Sequence, residues 1–503
     1  MSSVMPICEW PRRSWPCDWL LSDCKLDRLR ASLPHLQPAA RSGEMRTDSA
    51  DIARYRTNIW TRAAKNALVE AAGKQLWRST VNTPTGRILL LYLVWIVVGP
   101  LSSLTTMSRV CAQETVELLP PTGSLSVGRT SFHWVDAHRE QTGAESATKC
   151  EIMVHIWYPA KSQVAETTAP YIPGFATLQA AIGEKSLREA AGESYDALAS
   201  ARTHAVADAP VGSEAGKYPV LLLTHGLRFN SLGYSMLAED LASHGYIVVG
   251  TDHPSTAFAV LFPDNRVTLF DETLWSKQRT ADEKSSFERK FVDLCAADLK
   301  LAVDQLERLE SGALPSRFQG RLDVARVGVF GHSFGGRVAA RACQLDKRLK
   351  AGIVCDGFGR TMTVDKRPDG STLDQPMMVH YARRVPSSGV PRLLALLQTP
   401  GQDLEQELRQ VRTKFCESVK GVSYELSLNT PGIVHESFSD MPFLESGQDE
   451  KTKKDRQRAI EITRMYTRAF FDRHVRGLPA PLLDNPPENP KEVELMHHSY
   501  CGR

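Results

Sequence analysis

Four short runs, apolar but for the Arg326 that opens the third, limit what this chain can fold into. They read P-V-L-L-L-T (219–224), Y-I-V-V-G-T (246–251), R-V-G-V-F (326–330) and A-G-I-V-C (351–355), and each stops at glycine, histidine or aspartate. A strand with one wet face alternates apolar and polar residues, so a strand apolar at every position is covered on both faces. Between and after these runs lie stretches with helical spacing: Leu232–His244, Ser285–Leu309 and Gly335–Leu345. Strands alternating with helices predict βαβ units, hence an α/β fold with a mostly parallel central sheet and helices on both faces. Further strands are expected at Glu151–Tyr158, Met377–Val379 and Val422–Leu428, and helices over Arg392–Lys420, interrupted near Pro400-Gly401, and Lys451–Val475. Residues 160–217 read as loop-rich with one helical patch near 176–201, and the Pro-rich stretch Leu478–Pro490 as a loose tail.

The third run leads directly into Gly331-His332-Ser333-Phe334-Gly335, followed by Gly336 and a helical stretch. A G-x-S-x-G pentapeptide alone is a weak signal, but between a buried strand and a helix it is the nucleophile elbow of the α/β-hydrolase fold. The turn is sharp enough that larger residues beside the serine would collide with the neighbouring strand and helix. The helix N-terminus supplies N–H groups and partial positive charge where an oxyanion would form. A serine hydroxyl needs a base to take its proton, and the base needs an acid to orient it.

On this fold the order is Ser, then Asp or Glu, then His. Asp356 follows the fourth run, at the carboxyl end of a strand; Asp365, Asp369 and Asp374 are rivals in a polar loop. His435 lies in P-G-I-V-H-E-S-F, after the Val422–Leu428 strand. His380 closes the M-M-V run and is the rival base, whereas His474 reads as a solvated helix residue. His225 precedes the serine and so falls out of order. The oxyanion donors expected are the N–H groups of Phe334 and of Leu227, the latter in the His225-Gly226-Leu227 loop after the first run.

The formal net charge is only +3 over 503 residues, which leaves no footprint for nucleic acid. Residues 1–87 carry +6 and Arg109 adds one, leaving −4 for 113–503. Ile88–Gly99 is a twelve-residue apolar run after Arg87, the length of a signal-peptide core, and Val110-Cys111-Ala112 offers a cleavage site. Three segments are therefore expected: an N-terminal extension, 1–87, outside the mature enzyme; a signal peptide or membrane anchor, 88–112; and a catalytic domain, 113–503. Export is the first expectation, anchoring through 88–104 the second. The ten cysteines form no C-x-x-C pair and no Cys/His cluster of zinc spacing, so neither metal nor organic cofactor is expected. Six cysteines follow residue 112, which permits disulfides; Cys343 and Cys355, in apolar surroundings, read as buried thiols.

Taken in order, several segments resemble the platelet-activating factor acetylhydrolases of the plasma and intracellular type II kind. They include Trp157-Tyr158-Pro159-Ala160, Thr224-His225-Gly226-Leu227, Asp240-Leu241-Ala242-Ser243-His244-Gly245, Gly331–Gly336, Gly352–Asp356 and Val434–Asp440, spread over about 122–443. The resemblance implies a calcium-independent esterase that removes short or oxidised sn-2 acyl groups from phospholipids. It also implies Ser333, Asp356 and His435 as catalytic residues, with Leu227 and Phe334 as oxyanion donors. Gly357-Phe358-Gly359 departs from the Asp-Ala-Trp-like run of the family. Rival readings are a general carboxylesterase, a dienelactone-hydrolase relative, a polyester hydrolase, or an inactive hydrolase fold used for binding. The expected partner is a small-molecule or lipid ester. Peripheral contact with a lipid surface would run through Ile172, Phe175 and Leu178, unless these join a core.

Overall fold

The computed structural model describes residues 117–500 except 141–148, 162–167, 214–215, 279, 358–365, 367–370, 384–403 and 487–491. The expectations for 1–112, for Asp365, Asp369 and Phe358, and for the stretch around Pro400-Gly401 lie outside the described residues.

An antiparallel pair opens the fold, β1 (Val127–Glu140) and β2 (Lys149–Pro159), with Val127 opposite Pro159 and Trp134 opposite Ile152. An excursion follows through β3 (Thr168–Pro170), α1 (Phe175–Ile182), α2 (Glu184–Ala191), α3 (Tyr195–Ser200) and β4 (Arg202–Ala207). The chain then builds β5 (Tyr218–Thr224), α4 (Ser235–Ser243), β6 (Ile247–Asp252) and a hairpin of β7 (Ala259–Leu261) and β8 (Val267–Leu269). Next come α5 (Glu272–Ser276), α6 (Ala281–Ser311), β9 (Leu322–His332), α7 (Phe334–Leu345), β10 (Leu349–Cys355) and β11 (Met377–Ala382). Last are α8 (Leu404–Ser418), β12 (Ser423–Leu428), α9 (Glu450–His474) and β13 (Val493–His498).

Among the described residues, eleven strands form one sheet in the order β13-β12-β11-β10-β9-β5-β6-β2-β1-β4-β3. From β12 to β6 every neighbouring pair is parallel. The expected α/β-hydrolase architecture, a mostly parallel sheet with helices on both faces, is what forms. The continuous apolar runs explain themselves by face. Val220, Leu222, Val329 and Val354 share one core with Leu299 and Leu306 of α6 and Val338 of α7. Their neighbours Leu221, Leu223, Phe330 and Ile353 share the opposite core with Leu237 of α4 and Phe470 and Phe471 of α9. Each such side chain, when fully buried, contributes about 1.5–3 kcal/mol. Helix α6 begins at a capping box, Thr280 with Glu283, and stops at Gly312, whose φ of 82° suits only glycine well.

Several expectations change. Among the described residues of 160–217, three helices occupy the helical patch expected near 176–201, and two strands, β3 and β4, appear where loop was expected. The stretch 478–486 is anchored: Ala480 and Leu483 are buried, Pro481–Asp484 is a helical turn, and the Leu483 carbonyl meets His497 Nε2 at 2.9 Å. His474 is half-buried, with Nε2 3.1 Å from the Tyr424 hydroxyl, and burial followed by Arg473 pushes its pKa down to about 4. It is a packed residue because α9 turns that face onto β12. Among the described residues Cys150, Cys295, Cys343, Cys355 and Cys416 are all free, and burial pushes the Cys343 thiol up to about 12. No helix among the described residues is long and apolar enough to cross a membrane.

Candidate active site

The carboxyl ends of β5, β9 and β10 converge, as parallel sheets of this kind gather their ligand-binding groups. Strand β9 ends at His332, Ser333 turns with φ 55° and ψ −120°, and α7 starts at Phe334. Non-glycine residues in that region carry strain of about 1–3 kcal/mol each. Two more of them, Arg228 (φ 64°) and Asp356 (φ 47°), flank the same site.

The glycines show why the turn needs them. A Cβ on Gly335 would lie 2.2 Å from the Thr224 carbonyl oxygen, and one on Gly331 2.3 Å from the Gly335 carbonyl oxygen. Both obstacles are backbone and cannot swing aside. The Ser333 N–H donates to the Cys355 carbonyl at 2.8 Å, and the Asp356 N–H to the His380 carbonyl at 2.7 Å. These bonds lock the elbow to β10 and β10 to β11.

The structure brings three of the sequence-selected residues into one chain of contacts. His435 Nε2 lies 2.8 Å from Ser333 Oγ, and His435 Nδ1 lies 2.7 Å from Asp356 Oδ2. Such a chain can accept a proton from the serine while the carboxylate holds the ring's tautomer. Phe334 is the first residue of α7, where helix geometry provides no intrahelical acceptor for the N–H. The Leu227 loop is pressed against the serine: a Cβ on Gly226 would stand 3.3 Å from Ser333 Cβ. The rivals go elsewhere. His380 is fully buried, with Nδ1 toward Cys355 Sγ at 3.9 Å and Nε2 2.9 Å from Met378 Sδ. Asp374 pairs with Lys347 at 3.3 Å on the surface. His225 is buried behind its own loop, where burial and the neighbouring His253 lower its pKa to about 4.

A second set of residues went unread in the sequence. His332 is buried; its Nδ1 lies 2.9 Å from the Tyr234 hydroxyl and its Nε2 2.8 Å from the His435 carbonyl oxygen. The Gly226 N–H donates to the same Tyr234 hydroxyl at 3.0 Å. The directions fit throughout: Tyr234 accepts from Gly226 and donates to Nδ1, and Nε2–H donates to His435. A strut thus joins the Gly226-Leu227 loop to the His435 loop through the residue preceding Ser333. Burial, then His435, pushes His332 down to about 3, which keeps this hydrogen-bond pattern through the neutral range.

One buried group beneath the site has the composition of a metal centre: His253, Cys295 and Asp298, with ligand atoms within 4.8 Å of one another. Its members are already matched. His253 Nδ1 is 2.9 Å from Asp298 Oδ2, Arg139 donates to the other Asp298 oxygen at 2.6 Å, and Thr224 Oγ1 is 3.0 Å from His253 Nε2. Burial opposes charge on His253, but Cys295 and Asp298 outweigh it and raise the pKa to about 10. The group reads as an ion pair that props the end of β5.

Comparison with known proteins agrees with this architecture. The family model described as platelet-activating factor acetylhydrolase, isoform II, matches residues 111–477. The chicken platelet-activating factor acetylhydrolase is 24% identical over 286 residues, 52% of this chain and 62% of that protein, so the match spans about three-fifths of the relative's length. A protein of the fungus Arthroderma benhamiae described as a probable 1-alkyl-2-acetylglycerophosphocholine esterase is 24% identical over 75% of this chain and 94% of its own. Among solved structures, a ferulic acid esterase from Streptomyces cinnamoneus is 29% identical with a TM-score of 0.57, covering 76% of this chain and 99% of that one. With the family model matching well over half of its residues, the chain belongs to the platelet-activating factor acetylhydrolase isoform II family.

Proposed function

We propose that this chain is a serine esterase, a carboxylic ester hydrolase that cleaves a short sn-2 acyl ester of a phospholipid without calcium. The observation that carries the reading is the Asp356–His435–Ser333 hydrogen-bonded chain at the strained elbow. In this mechanism His435 takes the Ser333 proton as Oγ attacks the ester carbonyl. The Leu227 and Phe334 N–H groups receive the oxyanion. His435 then protonates the leaving alcohol, an acyl-serine remains, and water attacks it by the same route in reverse. Asp356 holds the imidazole and stabilises the imidazolium. The phospholipid assignment leans on the family and on the fungal relative's description.

The test is acetate release from an sn-2-acetyl phospholipid in excess chelator, with Ser333→Ala alongside. Release by the parent and a loss on the order of 10⁶ in the variant is the expected result. Equal activity of the two proteins would remove Ser333 from the reaction. Release that stops in chelator would end the calcium-independent reading. A second reading, hydrolysis of other carboxylic esters, is favoured by the likeness to the ferulic acid esterase along nearly all of that chain. Turnover of aryl acyl esters with none of the phospholipid would select it. Export with cleavage near Ala112 completes the proposal, and sequencing of the exported product should begin near Gln113.

A further inference from the structure

The two expected oxyanion donors stand far apart in the chain, Leu227 after β5 and Phe334 at the start of α7, and one short element reaches toward both. That element is α5, Glu272–Ser276, capped by the Asp271 carboxylate, which accepts from the Leu274 N–H at 2.9 Å. Toward the first donor, Glu272 Oε1 meets the guanidinium of Arg228, the residue after Leu227, at 2.9 Å. The same guanidinium lies over the Phe270 ring, 5.6 Å from its centroid. Toward the second donor, the Trp275 ring stands edge-on to the Phe334 ring, centroids 5.9 Å apart. Phe270 and Trp275 stack on each other at 5.6 Å, so the two arms share one support.

The support is itself held on the core. Trp275 meets Phe287 edge-on at 5.1 Å and Phe291 at 5.0 Å, both on α6. Leu227 and Trp275 pack against the apolar cluster that contains Phe334. Backbone bonds run from the same segment back to the Leu227 turn: the Phe270 N–H donates to the Phe258 carbonyl at 3.0 Å, and the Phe258 N–H to the Phe229 carbonyl at 3.3 Å. Within that turn the N–H groups on either side of Leu227 are committed. Gly226 donates to the Tyr234 hydroxyl at 3.0 Å and Arg228 to the Thr256 carbonyl at 2.8 Å. Arg228 holds φ 64°, a strained backbone for a residue with a side chain, and its contacts with Glu272 and Phe270 anchor the far end of that side chain. An oxyanion hole works only when both donors reach the same oxygen, so whatever fixes their separation bears on the transition state.

We propose that α5 is a brace that sets the separation of the two oxyanion donors, with Glu272 and Trp275 as positioning residues for ester hydrolysis. The inference rests on the esterase reading, with Leu227 and Phe334 as its donors. A misplaced donor weakens the transition state more than the bound ester, so its loss falls on kcat rather than KM. The experiment measures two quantities on the full-length parent, Trp275→Leu and Glu272→Gln: kcat and KM for para-nitrophenyl acetate, and the inhibition constant of hexyl trifluoromethyl ketone. Ser333 Oγ adds to the ketone carbon, the serine proton passes to His435 and the carbonyl π pair moves onto oxygen. The adduct thus carries the oxyanion of ester attack with no leaving group. Trp275→Leu should lower kcat about tenfold and Glu272→Gln about threefold, with KM within about twofold of the parent. Each variant should weaken the ketone by the same factor by which it lowers kcat. Glu272 is partly exposed, so its variant reads the same prediction if Trp275→Leu does not fold. Parent values of kcat in either folded variant, losses confined to KM, or a fall in kcat with unchanged ketone affinity would each overturn the brace and leave an active parent's esterase reading standing. A parent that hydrolyses no ester and binds the ketone no more tightly than Ser333→Ala would sink the esterase reading, and the brace with it.

Discussion

Both ring nitrogens of His332 are committed, one to the Tyr234 hydroxyl and one to the His435 carbonyl. The ring packs against the His435 ring, centroids 4.6 Å apart, so its effect on catalysis would be through the position of His435. Replacing His332 by Phe leaves the part-buried His435 carbonyl without its donor and the Tyr234 O–H without its acceptor, although Tyr234 still accepts from Gly226, and unmet buried groups cost about 1–3 kcal/mol each. His332→Phe should lower kcat about tenfold or more with KM nearly unchanged. Tyr234→Phe should act in the same direction by freeing the Gly226 N–H. The decisive measurement is the double variant. Members of one strut lose less together than the sum of their separate losses, by a coupling of about 0.5–3 kcal/mol. Strict additivity, or an effect on thermal stability alone, would make the two residues ordinary core packing. The elbow serine was legible in the sequence because glycines, strand and helix are all local to it. Tyr234 was not, because its partners Gly226, His332 and, through it, His435 come together only once four elements have packed.

Strands and helices divide by the same criterion. The runs that became β5, β6, β9 and β10 were legible because each is buried on both faces and apolar, apart from the exposed Arg326 that opens the β9 run. Strand β1, V-G-R-T-S-F-H-W-V-D-A-H-R-E, escaped notice because one face carries Arg129, Ser131 and His133, polar groups whose partners lie on other elements. Strand β13, V-E-L-M-H-H, is an edge with only half-buried and exposed positions, and it follows a Pro-rich stretch that reads as disorder. The link from the His435 turn to α4 was also hidden, since it runs through one buried carboxyl. Asp440 donates its N–H to the Gly233 carbonyl at 2.7 Å and accepts from the Met236 N–H at 3.3 Å and the Tyr171 hydroxyl at 3.1 Å. Burial dominates there and pushes the pKa up to about 8. The unfolded chain releases that proton near pH 4, so the folded state holds more protons between about pH 4 and 8. Stability from this group is therefore lost as pH rises through that window. Asp440→Asn should flatten the decline, by at most about 1.4 kcal/mol per pH unit, in denaturant titrations at pH 5 and pH 8. An unchanged slope would mean that Asp440 is ionised in the folded protein.

For the molecule as a whole, three buried histidines lie at or near the carboxyl ends of β5, β9 and β11, and they should contribute to its response to acid. Desolvation, the leading cause in each case, lowers His225 to about 4 and His332 and His380 to about 3. In the unfolded chain each ring titrates near 6.5. Between the two values the unfolded state binds more protons, so stability rises with pH and is lost as pH falls below about 6.5. Asp440 opposes this by about one proton over part of the same range, which makes the total slope a poor gauge of any one residue. The difference between parent and variant is the better measure. His380 suits it, since its ring contacts Cys355 and Met378 rather than Ser333. His380→Gln should reduce the slope of unfolding free energy against pH by about one proton, roughly 1.4 kcal/mol per unit, between pH 6 and pH 4. Denaturant midpoints at four pH values in that range, with the m-value checked for constancy, would give the slope. If parent and variant slopes coincide, His380 takes up its proton within the folded protein and the acid response must come from groups elsewhere. A reduced slope would show that the sheet's carboxyl ends, which must stay dry enough to hold neutral imidazoles beside Ser333 and Asp356, also set the acid limit of the fold.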